Sequence, residues 1–410
     1  MNRQRRSKNW RTRKSPNHKQ SRYSGGRGSW KKNNRKIKHE KIAHSRYISK
    51  ATAVENDSLY VCEKSFNDFN LHSALTSNIS KRNYVNPTKI QDRAIPEILK
   101  GRDLLGIGRT GSGKTGAFLI PMIDKALKNP ESKILIVSPT RELANQISSE
   151  FRKFAQSTPL KVVLVIGGAS IRDQIRLIRA QPQFVVATPG RLIDLVKRKS
   201  IDLGGFNNVV LDEVDRMLDM GFIEDIKLLI SKLASQRQSL FFSATLSHKE
   251  EMLANSLLVS PIKVGTDKQT ALESIHQDIV RVHSREHKMQ VLHDLLKRSE
   301  FNKVLVFSRT KRGADNISSE LRRRSIRVDS LHGDKSQNKR SRVLSKFKQN
   351  KIDVLVATDV AARGIDVPNI SHVINYDEPA TYNDYIHRIG RTGRIGKTGT
   401  ALTFVFGKSY

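Results

Sequence analysis

The stretch NVVLDEVDRMLDMGF, residues 208–222, carries acidic side chains directly after an apolar run. Asp212, Glu213 and Asp215 follow three apolar residues that have the pattern of a buried β-strand. A buried carboxylate is costly unless a cation or hydrogen-bond donors meet it. Helix N-capping would explain Asp215 and Asp219, but it does not explain two consecutive acids after an apolar strand. The pattern therefore predicts a cation close to Asp212 and Glu213.

A glycine-rich segment upstream, GRTGSGKT, fits the phosphate-loop pattern G-x-x-x-x-G-K-[ST]. Backbone N–H groups in such a loop surround a phosphate, and the N-terminus of the following helix adds its positive end. A plain glycine-rich turn is the alternative, but it does not account for the predicted strand, the predicted helix and Gly-Lys-Thr together. The predicted nucleotide-binding residues are Gly108, Arg109, Thr110, Gly111, Ser112, Gly113, Lys114 and Thr115.

These two stretches together describe a site for ATP and Mg²⁺. We expect Lys114 to reach the β- and γ-phosphates and the Thr115 hydroxyl to ligate Mg²⁺. Asp212 is predicted to hold the same ion through water, which is the second half of a nucleoside-triphosphate site. Glu213 is predicted to orient and deprotonate the attacking water.

Strand-like and helix-like segments alternate from about residue 65 onwards. Short β-rich runs such as KILIVSP (133–139) are separated by amphipathic stretches such as 141–155. This alternation indicates parallel sheets with helices on both faces. The stretch 264–277 contains no clear core pattern, so we interpret it as a linker. The predicted units are a tail over 1–64, one α/β domain over 65–270 and a second over 271–410.

Positive charge is concentrated near the N-terminus. The 410 residues carry a formal net charge of +35, and residues 1–50 contain eighteen Lys/Arg against one acid, Glu40. This segment lacks hydrophobic periodicity, so we expect a disordered basic tail that binds a polyanion. The tail alone does not distinguish RNA from DNA or from an acidic protein, and it is an auxiliary RNA arm only if the rest of the chain binds RNA. A solubilising or localising tail is the alternative. Aromatic residues among the basic ones suit stacking on bases, namely Trp10, Tyr23, Trp30 and Tyr47.

The composition excludes several classes of protein. No apolar run approaches the roughly 18 residues that a membrane span needs, and no signal-peptide core follows Met1. The single cysteine, Cys62, excludes an internal disulfide and thiol-rich metal sites. We expect a cytoplasmic protein without a membrane partner, with a nuclear or nucleolar location as the alternative in a eukaryote. The sequence leaves its protein partners open.

The ordered set of motifs resembles the DEAD-box RNA helicases over residues 66–404. The segments SFNDF and NPTKIQ resemble the family's adenine-reading Q motif, and DEVD resembles its naming motif with Val214 in place of Ala. The resemblance implies two tandem RecA-like domains. It also implies that Gln91 reads the adenine edge and that Phe66 stacks on the base, although Asn83 stands where the family normally has Gly.

The resemblance further implies RNA contacts in both domains, through motifs that include PTRELA, TPGR, LHGDKSQNKR and ATDVAARGID. Such contacts recognise the ribose-phosphate chain and its 2′-hydroxyl, with little base specificity. The SAT triplet implies that Ser243 and Thr245 hydrogen-bond the acids and couple hydrolysis to domain movement. The implied RNA-contacting residues are Pro139, Thr140, Arg141, Gly168, Thr188, Gly190, Arg191, Arg309, Gly333 and Thr358.

The motif HRIGRTGR implies two arginine fingers for ATP hydrolysis, Arg391 and Arg394. A guanidinium group suits this role because it stays charged and matches phosphate oxygens in a bidentate fork. The resemblance also implies that Asp366 contacts the ribose, that Gly364 lies at the closed interface and that His387 contacts motifs of the first domain.

We therefore expect an ATP-dependent RNA helicase that closes on single-stranded RNA and opens short duplexes locally, or remodels RNA–protein complexes, without processive travel. One alternative is a DNA-translocating helicase of the same superfamily, against which the Q motif and the wording of PTREL, SAT and HRIGRTGR argue. The other is a catalytically silent RNA clamp or annealing scaffold, against which the complete set of catalytic positions argues.

Overall fold

A computed structural model describes most of the chain. Two parallel sheets account for all thirteen strands in this part of the chain, and apolar clusters lie on both faces of each sheet. Within it, no helix is long and apolar enough to cross a membrane. The described residues are Glu40, 42–51, Cys62, 64–108, 111–265, 274–362, 367–393 and 398–407.

The first sheet has seven strands: β1 (Leu104–Ile107), β2 (Ile134–Val137), β3 (Val162–Val165), β4 (Phe184–Ala187), β5 (Asn208–Leu211), β6 (Gln238–Ser243) and β7 (Ile262–Gly265). All neighbours are parallel, in the order β3-β4-β2-β5-β6-β1-β7. In β2, Ile134 and Ile136 enter one apolar cluster, whereas Leu135 and Val137 enter the other. A strand that is apolar at every position is therefore covered on both faces.

Nine α-helices are described in this domain, besides the 3-10 helix Phe66–Phe69. Each of the six connections between consecutive strands contains a helix, because parallel strands cannot be joined by a tight hairpin. The helices are α1 (Ser73–Ser80), α2 (Lys89–Leu99), α3 (Lys114–Lys128), α4 (Arg141–Phe154), α5 (Ile171–Arg179), α6 (Pro189–Lys197), α7 (Val214–Asp219), α8 (Ile223–Ile230) and α9 (His248–Leu257).

The second sheet has six strands: β8 (Ile275–Val282), β9 (Val304–Phe307), β10 (Val328–Leu331), β11 (Val354–Ala357), β12 (His372–Asn375) and β13 (Gly399–Phe406). These are also parallel, in the order β10-β11-β9-β12-β13-β8. The helices of this domain are α10 (Arg285–Leu296), α11 (Lys311–Arg323), α12 (Gln337–Lys348), α13 (Asp359–Ala362) and α14 (Tyr382–Ile389).

Threonine side chains begin several of the helices that follow strands. Thr140, Thr310 and Thr381 each accept a hydrogen bond from a backbone N–H three residues later, at 3.2, 2.9 and 3.1 Å. This N-cap satisfies one of the N–H groups that have no partner within the helix. The caps fix where α4, α11 and α14 start, and therefore where the residues at the strand–helix junctions lie.

The predicted two-domain α/β architecture is confirmed, but two strands were not predicted. β7 and β8 overlap the two ends of the stretch 264–277, which the sequence analysis interpreted as a linker. Both are edge strands, and exposed polar residues interrupt their apolar ones, which weakens the pattern. The predicted boundary at residue 270 falls between them, outside the described residues.

Part of the predicted tail is an ordered segment on the second domain. We call it the docked segment and define it as Glu40 and residues 42–51. It contains one 3-10 turn, His44–Tyr47, and Ser49 forms an antiparallel bridge with Gln277 on β8. The prediction of disorder therefore does not hold here. The rest of the predicted tail, apart from Cys62 and Lys64, lies outside the described residues.

Burial explains why the docked segment departs from the prediction. Ile42 and Tyr47 are 7% and 0% exposed, and they lie in an apolar cluster with residues of β8, α14 and β13. The segment is too short to show a hydrophobic period, so its two anchoring side chains were hidden among basic residues. Because Tyr47 is enclosed, the expectation that it stacks on an RNA base is wrong for this structure.

Candidate active site

The phosphate-loop sequence joins β1 to α3, as its motif requires. Gly111 and Gly113 have φ angles of +88° and +97°, in the left-handed region that glycine adopts readily. Lys114 begins α3, is 7% exposed and donates a hydrogen bond from Nζ to the carbonyl oxygen of Gly108. The ammonium of the lysine that is predicted to meet phosphate therefore contacts the first residue of the loop, and Thr115 follows it in the first turn of α3.

Asp212 and Glu213 directly follow β5 and are 2% and 5% exposed. Burial and the charge of Glu213 raise the pKa of Asp212 to about 7, and the charge of Lys114 opposes part of this rise. A carboxyl group perturbed in this direction is stabilised in its ionised form by a cation. The cation at this strand end stays a prediction, and the raised pKa of Asp212 is the observation that favours it.

The donor set fits an ion that shares its ligands with phosphate. Within the described ranges, no three His, Cys, Asp or Glu side chains are grouped to hold a metal ion by themselves. Mg²⁺ is commonly held by one or two carboxylates, water and substrate phosphates. Asp212 and the Thr115 hydroxyl match that requirement, on neighbouring parts of one sheet edge.

Glu213 has an unusual backbone conformation and a buried partner. Its φ and ψ are 51° and 53°, a left-handed conformation that is uncommon for a residue other than glycine. Arg216 on α7 is 1% exposed and makes an ion pair with the Glu213 carboxylate at 2.6 Å. The sequence analysis did not single out Arg216, although its i+3 spacing from Glu213 was a usable signal.

Hydrogen bonds connect the acids to the phosphate loop through β6. The backbone N–H of Asp215 donates to Ser243 Oγ at 3.3 Å, and the N–H of Ala244 donates to the Asp215 carboxylate at 3.2 Å. The N–H of Gly108 donates to the carbonyl oxygen of Ser243 at 2.9 Å. Ser243 Oγ therefore meets Asp215 through the backbone N–H of Asp215, and the predicted hydrogen bond of Ser243 to the acidic side chains stays a prediction. Thr245 is half-buried beside them, and its hydrogen bond to the acids stays a prediction.

The side chains of Gln91 and Phe66, which are predicted to contact adenine, are both buried. The Gln91 amide accepts from the Thr88 N–H at 3.0 Å and donates to the carbonyl oxygen of Gly113 at 3.0 Å. It thus joins α2 to the phosphate loop. Phe66 is 3% exposed and packs edge-on against Phe69, so stacking on adenine would need its ring face to be uncovered. Both adenine contacts stay predictions.

Three guanidinium groups, those of Arg141, Arg191 and Arg340, lie close enough to affect one another. Burial and the charges of Arg340 and Arg191 lower the pKa of Arg141, and the charge of Glu142 opposes part of this shift. A Cβ at Gly167 would lie 2.9 Å from the Arg141 guanidinium, and one at Gly168 would overlap it, so the glycines allow the arginine to lie over their backbone. Cations that repel one another in this way are stabilised by an anion such as phosphate.

The other predicted RNA residues of the first domain lie at the same sheet edge. Pro139 and Thr140 follow β2, and Thr188 follows β4 and precedes α6. The open space around Gly190 admits a ligand, since a Cβ there would have no neighbour within 4 Å. Because β2 and β4 are adjacent and parallel, their carboxyl ends bring these residues together with Arg141.

The second domain repeats this arrangement. Arg309, Gly333 and Thr358 follow β9, β10 and β11, which are neighbouring parallel strands. The N–H of Arg309 donates to the Asp377 carboxylate at 2.9 Å, and the N–H of Thr358 donates to the carbonyl oxygen of Leu331 at 3.2 Å. Their position at one edge is therefore consistent with a continuous strip of backbone contacts.

A buried ion pair joins the two domains. Glu142 on α4 and Arg340 on α12 are 2.7 Å apart, with side chains 5% and 9% exposed, and Gln337 donates to Glu142 at 3.5 Å. A cavity of about 350 Å³ between these two helices continues from the pair. The sequence analysis quoted both motifs but assigned no role to these three side chains.

Arg391 is enclosed within its own domain. It is 2% exposed, and its Nε donates to the carbonyl oxygen of His387 at 3.2 Å. Arg388 makes a bidentate pair with Asp359 at 2.6 and 2.8 Å, so it is a structural arginine. The finger role of Arg391 stays a prediction. The predictions for Arg109, Thr110, Gly364, Asp366 and Arg394 lie outside the described residues.

Comparison with known proteins identifies the class of enzyme. Residues 88–253 match the DEAD/DEAH box helicase family, and residues 287–396 match the helicase conserved C-terminal domain. The DEAD-box ATP-dependent RNA helicase CshA of Bacillus subtilis is 43% identical over 83% of this chain and 69% of its own length. RhpA of Helicobacter pylori, another such helicase, is 40% identical over 86% of this chain and 72% of its own length.

A solved structure agrees with these matches. S. cerevisiae Dbp5 bound to RNA and ADP BeF3 superimposes with a TM-score of 0.75 at 31% identity, covering 84% of this chain and 90% of that one. The chain is thus an ATP-hydrolysing helicase with two RecA-like domains. It belongs to the DEAD-box ATP-dependent RNA helicases, as the sequence motifs predicted.

The raised pKa of Asp212 leads to a prediction about stability. Its pKa is higher in the folded protein than the usual 3.8, so its ionisation increasingly destabilises the fold as pH rises towards about 7. In the absence of nucleotide, Asp212→Asn should raise the thermal unfolding midpoint above that of the wild type at pH 8. At pH 5, where Asp212 is mostly protonated, the increase should be much smaller. Asp173→Asn on exposed α5 is the matched control. Calorimetry that found the same difference at both pH values would contradict the assigned burial.

Proposed function

We propose that this helicase couples hydrolysis of Mg²⁺-bound ATP to closure of its two domains on single-stranded RNA. The observation that carries this proposal is the hydrogen-bonded path from the phosphate loop through Ser243 to the acids after β5. The RNA-facing arginines lie at the carboxyl ends of the neighbouring strands. Hydrolysis at the nucleotide phosphates can therefore shift the RNA-contacting arginines, because only a few residues separate the two sites.

Residues of the first domain hold the nucleotide in this proposal. Lys114 and the loop N–H groups bind the phosphates, and Gln91 and Phe66 contact adenine. Thr115 and, through water, Asp212 would hold Mg²⁺, which neutralises the charge that develops on the phosphate oxygens. The raised pKa of Asp212 supports this assignment, because burial leaves its carboxylate in need of a positive charge.

Glu213 orients the attacking water and accepts its proton. The ion pair with Arg216 at 2.6 Å fixes one carboxylate oxygen, which leaves the second for the water molecule. Its left-handed backbone turns the side chain away from the line of β5. A general base held in this way contributes about 10²–10⁴ to the rate.

Arg391 and Arg394 complete the site when the domains close. Arginine fingers of this kind contribute about 10³–10⁵ to the rate of phosphoryl transfer. The bent RNA strand that the closed domains grip cannot stay paired, so short duplexes open locally and without processive travel. That Dbp5 has been solved with RNA and ADP BeF3 together supports simultaneous occupation of both sites.

The RNA is gripped through its backbone. Arg141, Gly168 and Arg191 in the first domain, and Arg309 and Thr358 in the second, contact phosphate and ribose with little base specificity. The basic residues before the docked segment add a sequence-independent arm. ATPase stimulation by RNA, compared with matched DNA, separates this function from that of a DNA translocase.

We place this activity in the cytoplasm. The support is the single cysteine among 410 residues, since structural disulfides are typical of oxidising compartments and a reduced thiol fits a reducing one.

Glu213→Gln should lower the RNA-stimulated kcat for ATP by about 10²–10⁴, because a general base is lost. Binding of a fluorescent ATP analogue should persist, since Lys114 and the loop remain. Glu224→Gln, at an exposed position on α8, is the matched control. A wild-type kcat in Glu213→Gln would contradict the proposal that Glu213 activates the water molecule.

The Glu142–Arg340 pair provides a test of domain closure. Removing one of these charges leaves the other buried without its ion-pair partner. Each of Glu142→Gln and Arg340→Gln should therefore raise the KM for RNA about tenfold or more. In a double-mutant cycle the combined variant should be less impaired than the two effects predict together. The pair Glu320–Arg324, within the second domain, is the control. Strict additivity would show that closure does not use this contact.

Deletion of residues 1–39 should weaken RNA binding and reduce its dependence on salt. This segment holds fifteen Lys/Arg and no acid. Without it, RNA binding should release fewer counterions from the RNA. The docked segment remains intact in this variant. A full-length variant with these Lys/Arg replaced by Gln is the control for chain length and should behave like the deletion. An unchanged slope of log Kd against log salt would reject the RNA arm.

A further inference from the structure

The docked segment grips the beginning of α14, whose last residue precedes Arg391 by two positions. The backbone N–H of Glu40 donates to the carbonyl oxygen of Ala380 at 3.0 Å, and its carboxylate accepts from the N–H of Tyr382 at 3.0 Å. The first N–H groups of a helix lack intrahelical partners and favour a negative charge. Glu40 therefore completes the N-terminus of α14 from a distant part of the chain.

Aromatic contacts extend this grip along one side of the helix. The Arg46 guanidinium lies 3.5 Å from the ring centroid of Tyr382, and the Tyr47 ring lies 4.8 Å from that of Tyr385. Positions 382 and 385 are one turn apart, so they share a helix face. Cation–π and tilted aromatic contacts of this kind add to the burial of Tyr47.

The loop after α14 packs on the same apolar cluster. Ser274 Oγ donates to the carbonyl oxygen of Gly393 at 3.3 Å, and a Cβ at Gly393 would lie 2.7 Å from Ile275 Cγ1. Ile275 belongs to the cluster that contains Tyr47 and Tyr385. The segment and the loop that carries Arg391 are therefore held by one common set of side chains.

We propose that the docked segment positions α14, and through it Arg391, for ATP hydrolysis. The proposal rests on the finger role of Arg391 given above. An eight-residue helix has little stability of its own, so its orientation depends on what packs against it. Glu40, Arg46 and Tyr47 act as positioning residues, because they touch the helix and not the nucleotide.

Positioning and simple stabilisation differ in their kinetic effect. A displaced finger acts on the transition state, so kcat falls, whereas ATP binds to the first domain and its KM stays nearly constant. A misplacement of about 1 Å can cost about 10²-fold in rate. A variant that merely unfolded part of the protein would lower the active fraction and the unfolding midpoint instead.

The first test is Tyr47→Ala in the full-length chain. At saturating RNA, kcat for ATP should fall about ten- to a hundredfold, with the KM for ATP within about twofold of the wild type. Tyr47→Phe should restore kcat, because the buried Tyr47 hydroxyl has no hydrogen-bond partner among the described residues. An unchanged kcat for Tyr47→Ala, or a loss in Tyr47→Phe equal to that in Tyr47→Ala, would overturn the proposal.

A second variant avoids the core. Glu40 and Arg46 are exposed, so the double substitution Glu40→Ala, Arg46→Ala removes both side-chain contacts to Tyr382 without opening a cavity. It should lower kcat several-fold at an unchanged unfolding midpoint. An unchanged kcat would contradict the proposal even if Tyr47→Ala failed to fold.

Combination with Arg391→Ala separates the inference from the proposed function. If the segment acts through Arg391, the double substitution at Glu40 and Arg46 should have no further effect on kcat in the Arg391→Ala background. Full additivity, with Arg391→Ala impaired, would reject the positioning role and leave the finger in place. Wild-type turnover by Arg391→Ala would reject the finger itself.

Discussion

The burial of Asp212 beside Lys114 is the constraint on which the first domain depends. A carboxylate removed from water is stable as an anion only when positive charge is close, and here burial raises its pKa to about 7. Lys114, Ser243 and Asp212 come from three parts of the chain that meet because β1, β6 and β5 are adjacent and parallel. Reversing any one strand would carry its functional residue to the opposite edge of the sheet. The parallel topology is thus a requirement of the chemistry.

The sequence predicted the residues whose role follows from local chemistry. The phosphate loop required glycine, a lysine and a following helix in one short stretch, and the structure supplies all three. Consecutive acids after an apolar run predicted the strand end at Asp212 for the same reason. The RNA-facing arginines were recognised only through the resemblance to a family, since single arginines carry no periodic or compositional signal.

The misses were contacts between distant parts of the chain. β7 and β8 are edge strands whose apolar residues are sparse, so only pairing with β1 and β13 reveals them. Glu142 and Arg340 are 198 positions apart and meet only across the two domains. Phe66 was expected to stack on the adenine base. It is 3% exposed, because Phe69 and Tyr84 pack around it. Composition gave no indication of these neighbours.

The bridge between Ser49 and Gln277 also bears on self-association. β8 is the outermost strand of its sheet, and the N–H and carbonyl of Gln277 both bond to Ser49, at 2.7 and 2.9 Å. Outer strands with free backbone groups invite pairing with another molecule, which proteins commonly prevent by covering them. Here the cover comes from the chain's own N-terminal region. Loss of this region through proteolysis would therefore uncover a surface prone to aggregation, quite apart from any change in catalysis.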